Sequence, residues 1–199
     1  MWDKRYDTET YVYGTEPSRF LKLNTEFLTG ADTVLAVADG EGRNSVFLAE
    51  QGLNVTAMDS SSVGLEKARR LAQERGVQVD FQLADLKGYD WDGAQYDVVA
   101  AIFIQFADPA FRAEIFDGME RVLKPGGMLM LHGYTPKQIE YGTGGPPVPE
   151  LLYTRDMLAD RFSDWEVIRL EEYEAELQEG PGHSGRSALI DLIAKRPQR

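Results

Sequence analysis

The chain has 199 residues, with 21 Lys and Arg against 33 Asp and Glu, a net charge of −12. Such an acidic average surface has no bulk attraction for phosphate backbones or anionic lipid, so nucleic acid and membrane are not expected as partners. The absence of cysteine removes disulfides, thiolate metal sites and cysteine nucleophiles together, and no metal site is expected.

The residues from Met1 to Asp7 are charged from the third position and lack the apolar stretch of a secretory leader. No window approaches 18 uncharged apolar residues. The expectation is a cytoplasmic protein, one domain over 1–199, acting as a monomer or homodimer on a small molecule.

From Thr33 onward, β-rich runs alternate with helix-period segments, the pattern of a parallel sheet with crossover helices. Thr33 to Ala38 reads as a buried strand, followed by a helix over Gly42–Gln51 that Gly52 closes. Asn54 to Met58 is a second strand, and Ser61 or Ser62 caps a helix that ends at Gly76. Val77 to Leu83 alternates as a third strand. Tyr96 to Ile104, nearly all apolar, suits a central strand covered on both faces.

Phe111 to Leu123 is helical, and Lys124-Pro125-Gly126-Gly127 stops it and turns into a fifth strand, Met128 to His132. A Gly/Pro-rich stretch follows over 141–150. A short helix (Arg155 to Phe162) and strands over Trp165–Tyr173 and Ser187–Ala194 complete the chain, the last two suited to antiparallel pairing.

The first β–α turn reads Ala38-Asp39-Gly40-Glu41-Gly42-Arg43-Asn44. Two glycines spaced this way let the backbone turn sharply and let a ligand approach closely. Asp59, at the tip of the second strand, stands where an acid takes both hydroxyls of a ribose. Asp85 ends the third strand, where a carboxylate can accept from an adenine amino group while Ala84 and Leu86 bracket the ring.

Charge then separates the candidate ligands. A dinucleotide pyrophosphate needs the first helix N-terminus, where Asp39 and Glu41 would repel it, and no Gly-Lys-Ser/Thr follows for a triphosphate. S-adenosylmethionine carries a sulfonium and an ammonium, and an acidic loop suits both.

The run Val34 to Asn44, with Met58-Asp59, Ala84-Asp85-Leu86, Tyr96 to Val99 and Leu123 to Gly127, resembles the class I S-adenosylmethionine-dependent methyltransferases over roughly Thr33 to Tyr134. The resemblance implies an α/β, Rossmann-like, doubly wound seven-stranded sheet of order 3-2-1-4-5-7-6. Strand 7 would be antiparallel and helices would cover both faces. It also implies cofactor contacts at Tyr13, Asp39, Gly40, Glu41, Gly42, Asn44, Asp59, Ser60, Ala84, Asp85, Leu86 and Phe103. One departure is plain: where the family has an acid and a glycine, positions 36 and 38 are alanine, and Asp39 is read as the replacement acid.

Short motifs at Tyr11 to Pro17, Tyr141 to Pro146 and Glu179 to Gly185 resemble bacterial tellurite-resistance and thiopurine methyltransferases, which methylate soft nucleophiles. The expected layout has a helical lid over 1–30 and substrate-side loops over 141–150 and 178–186. Of the two histidines, His183 lies in a glycine-rich loop and is the catalytic and substrate-side candidate, with Tyr134 and Arg186 beside the substrate; His132 lies within a strand. Of the aromatics Tyr6, Tyr11 and Tyr13, only Tyr13 is assigned to the ligand. Two rival readings stand beside the enzyme: a non-catalytic S-adenosylmethionine-binding module and a nicotinamide-dependent reductase.

Overall fold

The computed structural model describes residues 1–198. Two short helices, α1 (Trp2–Tyr6) and α2 (Arg19–Leu23), and a 3-10 turn (Thr25–Leu28) precede the sheet. Then come β1 (Thr33–Val37), α3 (Arg43–Glu50), β2 (Asn54–Asp59), α4 (Ser62–Arg75), β3 (Asp80–Leu83), β4 (Tyr96–Ile102), α5 (Pro109–Val122) and β5 (Leu123–Tyr134). The chain continues through α6 (Gln138–Tyr141), a 3-10 turn (Pro149–Leu151), α7 (Arg155–Arg161), β6 (Glu166–Gln178) and β7 (Ser184–Lys195). The seven strands form one sheet of order β3-β2-β1-β4-β5-β7-β6, with β7 antiparallel to both neighbours. This is the architecture read from the sequence.

The central strands are buried on both faces, as their unbroken apolar runs require. Leu35, Val37, Val99, Ala101, Leu129 and Leu131 pack with α5 and α7 through Ile115, Phe116, Met119 and Leu158. Val34, Val98, Ala100, Ile102 and Met130 meet Phe20 and Leu21 of α2 and Leu48 of α3 on the opposite face. Caps fix the helix ends. The Ser61 hydroxyl accepts from the Gly64 amide, the Asp108 carboxylate from Phe111, and the Thr154 hydroxyl from Met157.

Four boundaries differ from expectation, each for a local reason. β3 begins at Asp80 rather than Val77, because the Val77 amide donates to the Ala72 carbonyl and completes the Gly76 cap of α4. β4 stops at Ile102, since Phe103 takes a left-handed φ of 56°. Lys124-Pro125-Gly126-Gly127 lies inside β5 as a bulge: Leu123 pairs with Tyr96, and the next pair is Val98 with Met128. Lys124 reaches Asp97 at 2.8 Å, while Gly126 and Gly127 exchange backbone hydrogen bonds with Arg196. Finally, β6 and β7 form a hairpin longer than predicted; β6 carries Glu171, Glu172, Glu174 and Glu176, so its outer half lacks an apolar signature.

Candidate functional site

A cavity of about 350 Å³ opens beyond the carboxyl ends of β1 to β4, where ligands bind in open α/β sheets. One wall is the β1–α3 loop, a second the tips of β2 and β3, a third Phe103, and the cover is the segment around Trp2, Tyr6 and Tyr13. Ala38 and Phe103 are the only non-glycine residues with positive φ among the described residues, at 49° and 56°, and both line this cavity. Such backbone strain collects where a binding surface demands a particular shape.

Asp39 lines the cavity and caps α3. Its carboxylate accepts from the Ser45 amide at 3.3 Å and the Ser45 hydroxyl at 2.5 Å. Burial, reinforced by the nearby Asp59 charge, raises its pKa to about 7 against the pull of the Ser45 bonds. Asp59 is buried and lines the same wall, accepting from the Gly40 amide at 2.9 Å and the Ser61 amide at 2.8 Å. Burial raises its pKa as well, opposed by those amides. Ser60, Ala84, Leu86 and the exposed Asp85 border this end. Asn44 faces the cavity while its side-chain oxygen accepts from the Ser18 amide.

Three expected ligand contacts shape the site from behind instead. A Cβ on Gly40 would come within 2.6 Å of the Tyr6 hydroxyl, and one on Gly42 within 2.6 Å of the Ala68 Cβ, so these glycines admit the cover and the α3–α4 contact. Glu41 turns away from the cavity into a buried ion pair with Lys67, and its second oxygen accepts from the Val12 amide at 2.8 Å. It ties the N-terminal segment to the glycine loop.

At the other end, His183 is buried with its ring centroid 4.4 Å from Tyr13 and 4.2 Å from Phe103. Its Nδ1 has no hydrogen-bond partner among the described residues. Burial first, then the Arg43 and His132 charges, push its pKa down to about 2, so the imidazole is neutral. Tyr134 stands behind His183, edge-on at 5.6 Å, rather than on the cavity wall. Arg186 is displaced entirely: it is exposed on the hairpin, its guanidinium donating to Glu174.

Sequence reasoning expected a lid over 1–30 but assigned only Tyr13 to the ligand, leaving out Trp2, Tyr6 and the cation Arg43. Trp2 and Tyr6, one helical turn apart, stack at 5.9 Å, and Trp2 meets Phe106 edge-on at 6.2 Å. Arg43, the one cationic side chain lining the cavity among the described residues, contacts Glu179 at 2.9 Å. Glu179 in turn accepts from the Arg19 amide at 2.7 Å.

The donor set fits S-adenosylmethionine. The half-buried Asp39 and the buried Asp59 place two carboxylates side by side on the cavity wall, a field that a bound sulfonium or ammonium relieves, and Arg43 can face a carboxylate. A pyrophosphate fits poorly, because Asp39 already occupies the Ser45 amide at the α3 N-terminus. Among the described residues, no three metal-ligating side chains cluster and no helix is long and apolar enough to cross a membrane.

Residues 34–127 match the family model described as a methyltransferase domain. A ubiquinone biosynthesis O-methyltransferase of Xylella fastidiosa is 36% identical over 133 residues, covering 65% of this chain and 52% of the relative. One from Idiomarina loihiensis is 34% identical over 111 residues, covering 55% and 45%. The chain spans about half the length of the curated relatives it matches. Among solved structures, TehB from Haemophilus influenzae superposes with a TM-score of 0.72 at 18% identity, over 98% of this chain and 65% of that one. A protein from the study of disulfide-to-thioacetal conversion in echinomycin biosynthesis gives 0.81 at 18%, over 100% and 91%. The domain match, the strand order and the ligand-end geometry together support a class I S-adenosylmethionine-dependent methyltransferase.

Proposed function

We propose that the chain moves the methyl group of S-adenosylmethionine to a small-molecule acceptor whose reacting atom is a soft nucleophile: a thiol, a thiopurine, or a selenium or tellurium oxyanion. The observation that carries this reading is the neutral, aromatic-walled His183 at the end of the cavity away from Asp59 and Asp85. Bound S-adenosylmethionine supplies an activated methyl carbon and a thioether leaving group. Displacement at that carbon needs an aligned electron pair; alignment and exclusion of water supply much of the rate.

Trp2, Tyr6 and Phe106 cover the cavity and keep water out. Burial leaves the His183 imidazole too weak a base to take the proton of an alcohol. Its ring with Phe103 forms the wall for an acceptor that is already nucleophilic. The proton of a thiol passes to water before transfer. Ala36 and Ala38 leave the loop its turn, since Ala38 adopts the left-handed φ a glycine would supply, and this favours a working donor site over an inert binding module.

Labelled methyl donor offered with 2-mercaptoethanol, 6-mercaptopurine, selenite, tellurite and a catechol tests the assignment. Methylated sulfur, selenium or tellurium is the expected product. Product from the catechol alone would point to the chemistry named for the O-methyltransferase relatives and end the soft-nucleophile reading. Tight S-adenosylhomocysteine binding without any product would favour the module.

Two substitutions sharpen the residue roles. Asp59→Ala is expected to weaken S-adenosylhomocysteine binding by about 1–3 kcal/mol in calorimetry, the scale of lost hydrogen bonds to a charged group; unchanged affinity would remove Asp59 from the donor site. His183→Phe preserves the wall and is expected to keep kcat within about tenfold, whereas a proton-transfer role would cost about 10²–10⁴-fold.

A further inference from the structure

One buried polar pair is used by neither the donor site nor the acceptor wall. β7 reads Ala188-Leu189-Ile190-Asp191-Leu192-Ile193-Ala194, an apolar run with one acid at its centre. Asp191 pairs in register with His132 on β5, and its Oδ1 lies 2.6 Å from the His132 Nδ1. The Tyr173 hydroxyl donates to the same oxygen at 3.2 Å. His132 and Asp191 are 1% and 5% exposed. The fold does not require such a pair: well-packed apolar replacements of buried ion pairs are often neutral or stabilising.

What the pair touches gives it a use. The His132 ring lies flat against Phe20, with centroids 5.0 Å apart and planes at 6°, and Phe103 stands on its other side edge-on at 4.6 Å. The Phe103 amide donates to the His132 carbonyl at 2.8 Å. A left-handed φ on phenylalanine costs about 1–3 kcal/mol and persists only where surroundings over-determine it. Phe103 then meets His183 at 4.2 Å.

We propose that His132 and Asp191 form a positioning pair, which holds Phe103 in its strained turn and through it fixes the His183 wall of the acceptor end. Asp191 sets the orientation of the imidazole, Phe20 clamps its far face, and Phe103 seats on the near one. The pair touches neither donor nor acceptor. The role rests on the acceptor end proposed above, but its test does not require that any acceptor be the right one.

With only two histidines in the chain, nitrogen-15 labelling of histidine gives two imidazoles to follow by NMR. In the S-adenosylhomocysteine complex, the double variant His132→Leu/Asp191→Leu is expected to displace and broaden the His183 signals without lowering Tm. Asp191→Asn, which still accepts from the imidazole, is expected to restore them. Methylation of 6-mercaptopurine should fall at least about tenfold in the leucine pair, with KM for S-adenosylmethionine held within about twofold. In a Phe103→Gly background, the leucine pair should add no further change to the His183 signals.

Unchanged His183 signals in the folded leucine pair would overturn the proposal, as would a loss undiminished in the Phe103→Gly background. If the leucine pair fails to fold, His132→Gln is read by the same signals. A wild-type chain inert toward 6-mercaptopurine counts against that acceptor alone, and the spectra still decide the pair.

Discussion

Asp39→Asn is expected to stabilise the ligand-free protein at pH 8 while lowering its preference for S-adenosylmethionine over S-adenosylhomocysteine by about tenfold or more, near 1.4 kcal/mol. The sign follows from the pKa, raised from an ordinary 3.8 to about 7 chiefly by burial. Between these values the folded chain keeps a proton that the unfolded chain has lost. Rising pH therefore removes stability through that window, by a total on the order of 2–4 kcal/mol for this side chain.

The groups facing Asp39 are Ser45 and Arg43 of α3, Asp59 of β2 and Tyr6 of α1, and only Arg43 offsets its charge. Asparagine keeps an oxygen for the Ser45 amide but not the charge that faces the ligand. Melting curves from pH 4 to 8, with calorimetry of both ligands, check the two halves. A wild-type stability rising across that range, or an unaltered donor-to-product preference in the variant, would refute the assignment.

Lys67→Met is expected to cost about 3–5 kcal/mol, because it leaves the Glu41 carboxylate buried without its counter-charge. The loss is compounded at the N-terminus, where the Lys67 ammonium donates to the carbonyls of Tyr6, Thr8 and Thr10. The segment over 6–13 should therefore loosen before the sheet does. Urea unfolding measures the first effect, and trypsin cleavage after Arg5 or Lys4 in the folded variant measures the second. Adding Glu41→Gln should recover part of the stability by removing the stranded charge.

The parts legible in the sequence share a physical cause. Strands β1, β2, β4 and β5 are buried on both faces, so their apolar runs announce them, and the tip of β2 fixes where Asp59 must stand. Helix α1, only five residues long, has no periodicity to detect. The direction of a loop side chain is not encoded in its charge: Asp39 and Glu41 are two residues apart, yet one lines the cavity and the other enters the α4 contact. The clue to Glu41 was a lysine on a helix that elsewhere turns Leu65, Ala68 and Leu71 inward. Arg43 and Glu179 could not be paired without the fold, since opposite ends of the chain bring them together.

The β6–β7 hairpin separates two jobs that a single scaffold usually entangles. Its strands run the length of the sheet edge, yet only the short tip from Glu179 to His183 reaches the cavity. Asp39, Asp59 and Asp85, the acids assigned to the donor, stand at or just past the ends of β1, β2 and β3, at the opposite side of the topological switch. Exchanging that tip for another of equal length would re-tailor what is methylated while leaving the source of the methyl group alone, provided Glu179 stays to seat Arg43 and the Arg19 amide. The hairpin is thus a handle by which one donor site can be offered to successive new acceptors.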